Sequence, residues 1–549
     1  MIRDQLVVAQ RAALDDAGFP VPAGGIDLEP PKQREHGDWS CSVALKVAKP
    51  AGVSPRDAAA RIVAALESAS PRHVEAIEIA GPGFINFHLA PTWLHEVLRS
   101  VVEQGERYGH GETLAGSRIN LEFVSANPTG PLHAGGGRWV AVGDALANLL
   151  AAQGAEVHRE YYLNDAGTQL DLFAASLQAR YDGREPPADG YLGDYMIEMA
   201  DRMRAELGDE VTQEQALAWG YEEVKRQLRD DLGRIGVHFD TWFSARDLHD
   251  RGEVQRVLSD LAARDVTYEQ DGATWLRATD FGDQRDRVLI KSDGSTTYLC
   301  NDLAYHEDKF DRGWNHLIDI WGADHHGQVK SLRAGLEALG HPTGEPEVLL
   351  GQLVKVMRGG ALVRMSKRMG EITTLADILD EVDPDVARLT FLLQGIDTQQ
   401  TFDLDVVTAQ SMENPVYYVQ YAHARIASIG RQAAARGIVR LPILETNLAP
   451  LEHERELDLL RALARFPEVV EEAAELRAPH RVATWVRDFA ARFHGFYRDC
   501  RVISDDAAVT QARLWLAEAC RIGLAVALTI LGVNAPDEMH RLDADAAGS

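Results

Sequence analysis

Cysteine is scarce in this chain. There are four in 549 residues, Cys41, Cys300, Cys500 and Cys520, and no Cys-x-x-Cys pair among them. Such spacing argues against a zinc ribbon or a disulfide-stapled scaffold and for a reducing, cytoplasmic setting. Long apolar runs are missing too. The longest, Ile522 to Val533, is too short to span a bilayer, follows Glu518 and Arg521 closely, and reads as a buried helix. No N-terminal stretch resembles a signal peptide, because Met1 to Gly18 reads as an amphipathic helix with Leu6, Val7, Ala13 and Leu14 on one side, interrupted by Gln10. Nor is there a surplus of positive charge: 56 Lys and Arg against 84 Asp and Glu leave a formal net charge of −28. That balance argues against a nonspecific nucleic-acid binder. It leaves room for a local basic surface, with Arg425, Arg431, Arg436, Arg492, Arg498 and Arg501 as candidates. The adjacent His325 and His326 have no carboxylate or cysteine at ligand spacing, so no protein-bound metal is expected.

What is present is ordinary globular text, 45% hydrophobic and 26% charged, and long enough for two to four domains. Residues 1–107 read as a small α+β module, with helical stretches at the start and from Ser54 to Glu67 and a strand at Gly83 to Leu89. Residues 108–385 alternate strands (Ile119–Val124, Val157–Leu163, Leu317–Trp321, Val348–Val356) with helices, which predicts a parallel sheet covered on both faces. Between about 168 and 290 the alternation lapses, and this interval reads as an insertion containing a hairpin near Asp271-Gly272. From 386 to 549 the text is almost wholly helical, as in a bundle.

The most informative stretch is Ser125-Ala126-Asn127-Pro128-Thr129-Gly130-Pro131-Leu132-His133-Ala134-Gly135-Gly136-Gly137. Ahead of it, Ile119, Leu121 and Phe123 alternate as on a strand. Behind it, Trp139, Val142, Leu146, Leu149 and Leu150 recur at helical spacing. A strand-to-helix turn offers unpaired N–H groups and the positive end of a helix dipole, which favours an anion such as a nucleotide phosphate. Glycine lets that ligand come close to the backbone, and His133 can donate to a phosphoryl oxygen. A tight turn with a structural histidine fits the same residues. A distant segment, Val363-Arg364-Met365-Ser366-Lys367-Arg368-Met369-Gly370, bears on the choice. It is a basic loop between a strand-like and a helix-like run. Lys367, with Arg364 and Arg368, can neutralise phosphates held at His133 as pyrophosphate leaves.

Three further groups sit at expected strand ends or helix starts. Asn164 and Asp165 suit a substrate contact or a helix cap. Tyr298 and Asp302, four apart, project from one helical face and suit a guanidinium, or pair with each other on the surface. Asp324 can hold ribose hydroxyls, while His325 and Gln328 can meet a nucleotide or substrate.

The two signature segments resemble those of class I aminoacyl-tRNA synthetases. Asp271 to Arg277, Phe281 to Asp283, Asp286-Arg287, Tyr298 to His306, Asn164 to Gly167, Asn414 to Arg425 and Leu531 to Pro536 narrow the resemblance to arginyl-tRNA synthetase, over nearly the whole chain. It implies an α/β protein: a Rossmann-type catalytic domain with an insertion, an N-terminal tRNA-binding α+β domain and a C-terminal helical anticodon-binding domain headed by Asp385-Val386-Ala387-Arg388. It further implies that ATP meets His133, Gly135, Gly136, Asp324, His325, Arg364, Met365, Ser366 and Lys367. Ser125 and Asn127 would meet the amino-acid end of arginine, Tyr298 and Asp302 its guanidinium, with Gln328 close by. The implied partners are tRNA(Arg), L-arginine and ATP with substrate-borne Mg²⁺; no membrane partner and a monomer are expected, with tRNA needed before arginine is activated. The chain departs from the family pattern in three places. Gly136 stands where most relatives carry a second histidine, Arg364 replaces a lysine, and Ala245 stands where many place a glutamate.

Overall fold

The computed structural model describes residues 2–31, 33–165, 168–363, 374–409 and 414–539. They form two compact units. One gathers Met1–Gly105, Ile429–Ala464 and Gly495–Cys520; the other gathers Glu106–Ser428, Arg465–His494 and Arg521–Ser549.

In the first unit, strands Leu28–Glu29, Trp39–Cys41, Phe84–Leu89 and Val74–Ala80 lie side by side in that order as an antiparallel sheet. Helix Pro55–Ala69 buries Ile62 and Leu66. It starts where it does because Ser54 Oγ accepts from the Asp57 N–H at 3.1 Å, with proline at the first helical position. The expected first helix spans Ile2–Asp16, and Gln10 on its apolar side is buried with Leu6 and Leu14. Cys41 Sγ donates to Gln10 Oε1 at 2.9 Å, which is how an amide is accommodated there.

The second unit is built on a parallel sheet of β1 (Arg118–Glu122), β2 (Glu156–Leu163), β3 (Thr241–Ser244), β4 (His316–Gly322) and β5 (Glu347–Gly351). Their spatial order is β5-β4-β1-β2-β3, every pair parallel. The chain winds from the middle to one edge and then returns to fill the other, so its direction of winding reverses between β1 and β4. Ligands of open parallel sheets bind at that reversal, beyond the strands' C-terminal ends. Helix α1 (Gly137–Ala152) follows β1 and is buried along most of its length. It lies close because Gly143 faces the Phe123 ring, where a Cβ would come within 2.2 Å. Helix α2 (Tyr298–Asp311) precedes β4, and helix α3 (Pro384–Leu392) packs on α1. Arg388 of α3 pairs with Asp144 of α1 and donates to the Ile235 carbonyl at 2.8 Å and the Leu531 carbonyl at 3.3 Å.

Three sequence expectations are redrawn. The single strand expected over Val348–Val356 is two, β5 and β6 (Val354–Arg358), and β6 pairs instead with Gln400–Asp403 and Ala361–Leu362. The break is enforced at Gln352, whose N–H donates to the Ile396 carbonyl and whose carbonyl accepts from buried Arg138. The interval 168–290 is not wholly an insertion, because β3 within it joins the main sheet. Its four residues, Thr-Trp-Phe-Ser, are too few to show a strand period. The text from 386 onward includes strand Gln400–Asp403 before the long helices Pro415–Ala435, Glu454–Glu475, His480–Asp499 and Ala507–Ile530. The hairpin is where the sequence puts it: Gln270 pairs with Ala273 around Asp271 (φ 53°) and Gly272 (φ 75°), the left-handed pair a two-residue turn requires. Among the described residues no helix is long and apolar enough to cross a membrane.

Gly143→Ala is expected to lower the unfolding free energy by about 1–3 kcal/mol through overpacking against Phe123. Gly233→Ala, with nothing within 4 Å of the added Cβ, should be neutral or stabilising. Urea unfolding of both variants checks the contrast.

Candidate active site

β1 ends at Glu122, and the chain then turns through two non-glycine residues with positive φ, Val124 (71°) and Ser125 (38°). A β-branched residue in that region is strained and persists only where its surroundings fix it. They do so here. The Ser125 N–H donates to the Phe123 carbonyl at 3.0 Å. Ser125 Oγ donates to Glu122 Oε1 at 2.9 Å and accepts from the Tyr162 N–H at 3.1 Å. The hydroxyl of buried Tyr161 accepts from the Ala126 N–H and donates to the Ala126 carbonyl, both at 3.1 Å.

The signature stretch continues to His133, which caps the short turn Ala134–Gly136 leading into α1. His133 Nδ1 accepts from the Gly135 N–H at 3.0 Å. A neutral ring with this bond carries its proton on Nε2. Gly136 is helical in backbone, and a Cβ there would lie 3.1 Å from Leu132 Cδ1. A larger side chain at this departure from the family pattern thus needs Leu132 to move. Arg364, Met365, Ser366 and Lys367 lie outside the described residues. Immediately after that segment, Thr374 forms an antiparallel bridge with His133, and the Leu375 N–H donates to the Leu132 carbonyl at 2.8 Å. Thr374, the first described residue after the basic segment, is thus bonded at His133, far away in sequence.

At the C-terminal ends of β1, β2 and β4 lies a cavity of about 460 Å³. Ser125, Asn127, Tyr298, Asp302 and Gln328 all line it, as does His325. Asp324 does not; it sits exposed on the turn after β4, 3.6 Å from His325. Neither does His133. Helix α2 begins at Tyr298 because Thr297 Oγ1 accepts from the Cys300 N–H at 3.3 Å and donates to the Val288 carbonyl at 2.9 Å. Tyr298 and Asp302 therefore share a face, but among the described residues no hydrogen bond joins them. The Tyr298 side chain is 74% exposed, and the half-buried Asp302 carboxylate has no hydrogen-bond or ion-pair partner there. Burial pushes Asp302 up to about 6, with Glu122 and Asp319 adding to the shift. A carboxylate left in this state suits a cationic ligand.

Other lining residues escape a sequence reading: Glu122, Tyr162, Tyr305, His306 and Trp321. Asn120 and Glu122 alternate with the apolar residues of β1, which reads as a solvated face. Both faces of a parallel sheet are covered, so both residues are buried. Asn164 lines the cavity, whereas Asp165 is a structural hub. It accepts from the Tyr221 hydroxyl at 2.7 Å, Ser244 Oγ at 2.6 Å and the Arg246 N–H at 3.0 Å. Ala245 begins the next helix and lies outside the cavity wall. Among the described residues no cluster of side chains could hold a metal ion.

A parallel sheet of this order, a histidine-capped turn after its first strand and a cavity at the reversal define a class I aminoacyl-tRNA synthetase catalytic domain. The family model of the class I (R) tRNA synthetase catalytic domain matches residues 97–217 and 234–405. Those of the arginyl-tRNA synthetase N-terminal domain and the DALR anticodon-binding domain match 5–89 and 419–539. An arginine–tRNA ligase of Syntrophotalea carbinolica is 46% identical over 94% of this chain and 95% of its own. One of Frankia alni is 46% identical over 98% and 99%. The arginyl-tRNA synthetase of Thermus thermophilus superposes with a TM-score of 0.76 over 98% of this chain and all of its own, at 22% identity. The chain belongs to the arginyl-tRNA synthetase family.

Asp165→Ala is expected to cost about 1–3 kcal/mol of stability, because it strands buried donors. Thermal and urea unfolding check this; an unchanged midpoint would remove Asp165 from its role as hub.

Proposed function

We infer that this protein is an arginine–tRNA ligase: it activates L-arginine with ATP to arginyl-adenylate, then transfers the arginyl group to the terminal ribose of tRNA(Arg). The observation that carries this is the cavity at the β1/β4 reversal, with a partnerless carboxylate at Asp302 beside an exposed phenol at Tyr298. A guanidinium meets both needs, since a carboxylate accepts its forked donors and an aromatic ring stacks on its plane.

In the first step an arginine carboxylate oxygen attacks the α-phosphorus of ATP in line, and pyrophosphate leaves. No enzyme nucleophile takes part, so catalysis rests on positioning and on charge stabilisation. Tyr298 and Asp302 hold the guanidinium, while Ser125, Asn127 and Gln328 orient the amino-acid end. His133, with Gly135 and Gly136 letting the ligand come close to the backbone, meets ATP at the start of α1, and Asp324 and His325 meet the nucleotide. Arg364 to Lys367, with Lys367 foremost, neutralise the departing pyrophosphate; the bridge of Thr374 to His133, at the signature turn, supports this. Mg²⁺ arrives with ATP as part of the substrate. In the second step a ribose hydroxyl of the tRNA attacks the arginyl carbonyl carbon, and AMP leaves. The protein acts as a monomer in the cytoplasm.

Arginine-dependent ATP–pyrophosphate exchange, run with and without tRNA, tests the reaction; exchange driven by another amino acid would refute it. His133→Ala and Lys367→Ala should each lower the rate by about 10²-fold or more with the fold intact. The pH dependence has a definite sign. Asp302 binds a guanidinium when ionised, and its value of about 6 means that this form is lost as pH falls through that point. The KM for arginine should therefore rise from pH 7 to pH 5, and Asp302→Asn should abolish that rise while weakening binding throughout.

A further inference from the structure

The register of β1 against β4 sets Glu122 opposite Asp319, two carboxylates side by side on one face of the sheet. Like charges so placed repel, and more strongly where water is excluded. Helix α2 covers that face and brings two nitrogen-bearing side chains to them. Lys309 Nζ donates to Glu122 Oε2 at 2.7 Å and to Asp319 Oδ1 at 2.9 Å. His306 Nε2 lies 2.7 Å from Asp319 Oδ2, and its Nδ1 lies 2.7 Å from the Asp302 carbonyl oxygen. A carboxylate and a carbonyl only accept, so both ring nitrogens of His306 face acceptors. Lys309 and Asp319 are both 0% exposed.

The contacts form one unbroken chain, from Asp302 through His306, Asp319, Lys309 and Glu122 to Ser125. They tie the guanidinium end of the cavity to its strained turn. Glu122, Asp302 and Asp319 bring three carboxylates, against the Lys309 ammonium and the His306 ring. The neighbouring Glu160 is bonded by Arg312, at 2.6 and 2.8 Å, and accepts from the Tyr305 hydroxyl. Of the three carboxylates, that of Asp302 has no hydrogen-bond or ion-pair partner among the described residues. Burial penalises the Lys309 ammonium, but Asp319, Glu122 and Glu160 outweigh it and hold its pKa above the usual lysine value. Asp319 is held low in the same way by Lys309 and His306.

We propose that Lys309, His306 and Asp319 are positioning residues that fix the separation of Asp302 from Ser125 and leave the cavity one positive charge short, and so select a guanidinium on a side chain of one length. The proposal rests on the reading of the cavity as the arginine site.

The test is ATP–pyrophosphate exchange in the presence of tRNA, with arginine and with homoarginine, on three variants: Asp319→Asn, Lys309→Met and the double. The KM for arginine should rise about 10- to 100-fold, the range for stranding a buried charged partner. Preference for arginine over homoarginine should fall by about tenfold, the scale of one methylene in a fitted pocket, while the KM for ATP stays within about twofold. The double variant should be no worse than Lys309→Met alone, because both act through one chain. Asp319→Asn preserves shape and gives the result even where Lys309→Met does not fold, which thermal unfolding reports. Unchanged arginine KM and selectivity in a folded variant overturn the proposal and leave the arginine reading standing, as does a parallel rise in the KM for ATP. A wild-type protein with no arginine-dependent exchange overturns both.

Discussion

The parallel pairing of β1 with β4, strands separated by nearly two hundred residues of chain, is the constraint on which the site depends. It creates the reversal of winding at which a crevice opens, and it fixes what stands in that crevice. Because partners in a parallel ladder point to the same side, Glu122 and Asp319 are forced together in a dry interior. Only a covering element that brings buried positive charge can satisfy them, and α2 does so with Lys309. The same helix carries Asp302 and Tyr298 about two and three turns earlier. Its charge-matching duty thus also sets where the cavity's recognition groups lie.

The turn after β1 shows how local strain is held by tertiary contacts. Val124 and Ser125 adopt a backbone conformation that their side chains disfavour, yet Ser125 is held by Glu122 of β1 and Tyr162 of β2, and the next residue, Ala126, by Tyr161 of β2. The cost is met by neighbours on two strands, and Ser125 and Asn127 are held on the cavity wall. A few residues on, His133 uses one ring nitrogen to fix its own turn. Both are cases of preorganisation: the geometry exists before any substrate arrives.

Much of this was legible in the sequence because it is written locally. The strand–glycine–helix stretch around His133, the Asp271-Gly272 hairpin and the four-residue spacing of Tyr298 and Asp302 depend on neighbours along the chain, and patterns of two and 3.6 reveal them. What stayed hidden depends on pairing across the fold. Glu122 looks like the polar face of an amphipathic strand until a second layer covers it. Lys309 looks like a solvated helix charge until β4 is laid beneath it. Thr241–Ser244 is too short to announce itself, and the split at Gln352 is imposed by Arg138 and the Ile396 carbonyl, not by any residue that breaks strands. Asp165 could be read as a ligand or a cap, and its hydrogen bonds to Tyr221, Ser244 and Arg246 make it neither.

The interleaving of the two units along the chain has a consequence for biosynthesis. Met1–Gly105 shares a compact unit with Ile429–Ala464 and Gly495–Cys520, so residues 1–105 await partners made more than three hundred residues later. At about 5–20 residues per second that wait is on the order of tens of seconds. During it, the nascent sheet of this segment must survive without part of its eventual packing, so early emergence does not bring early completion.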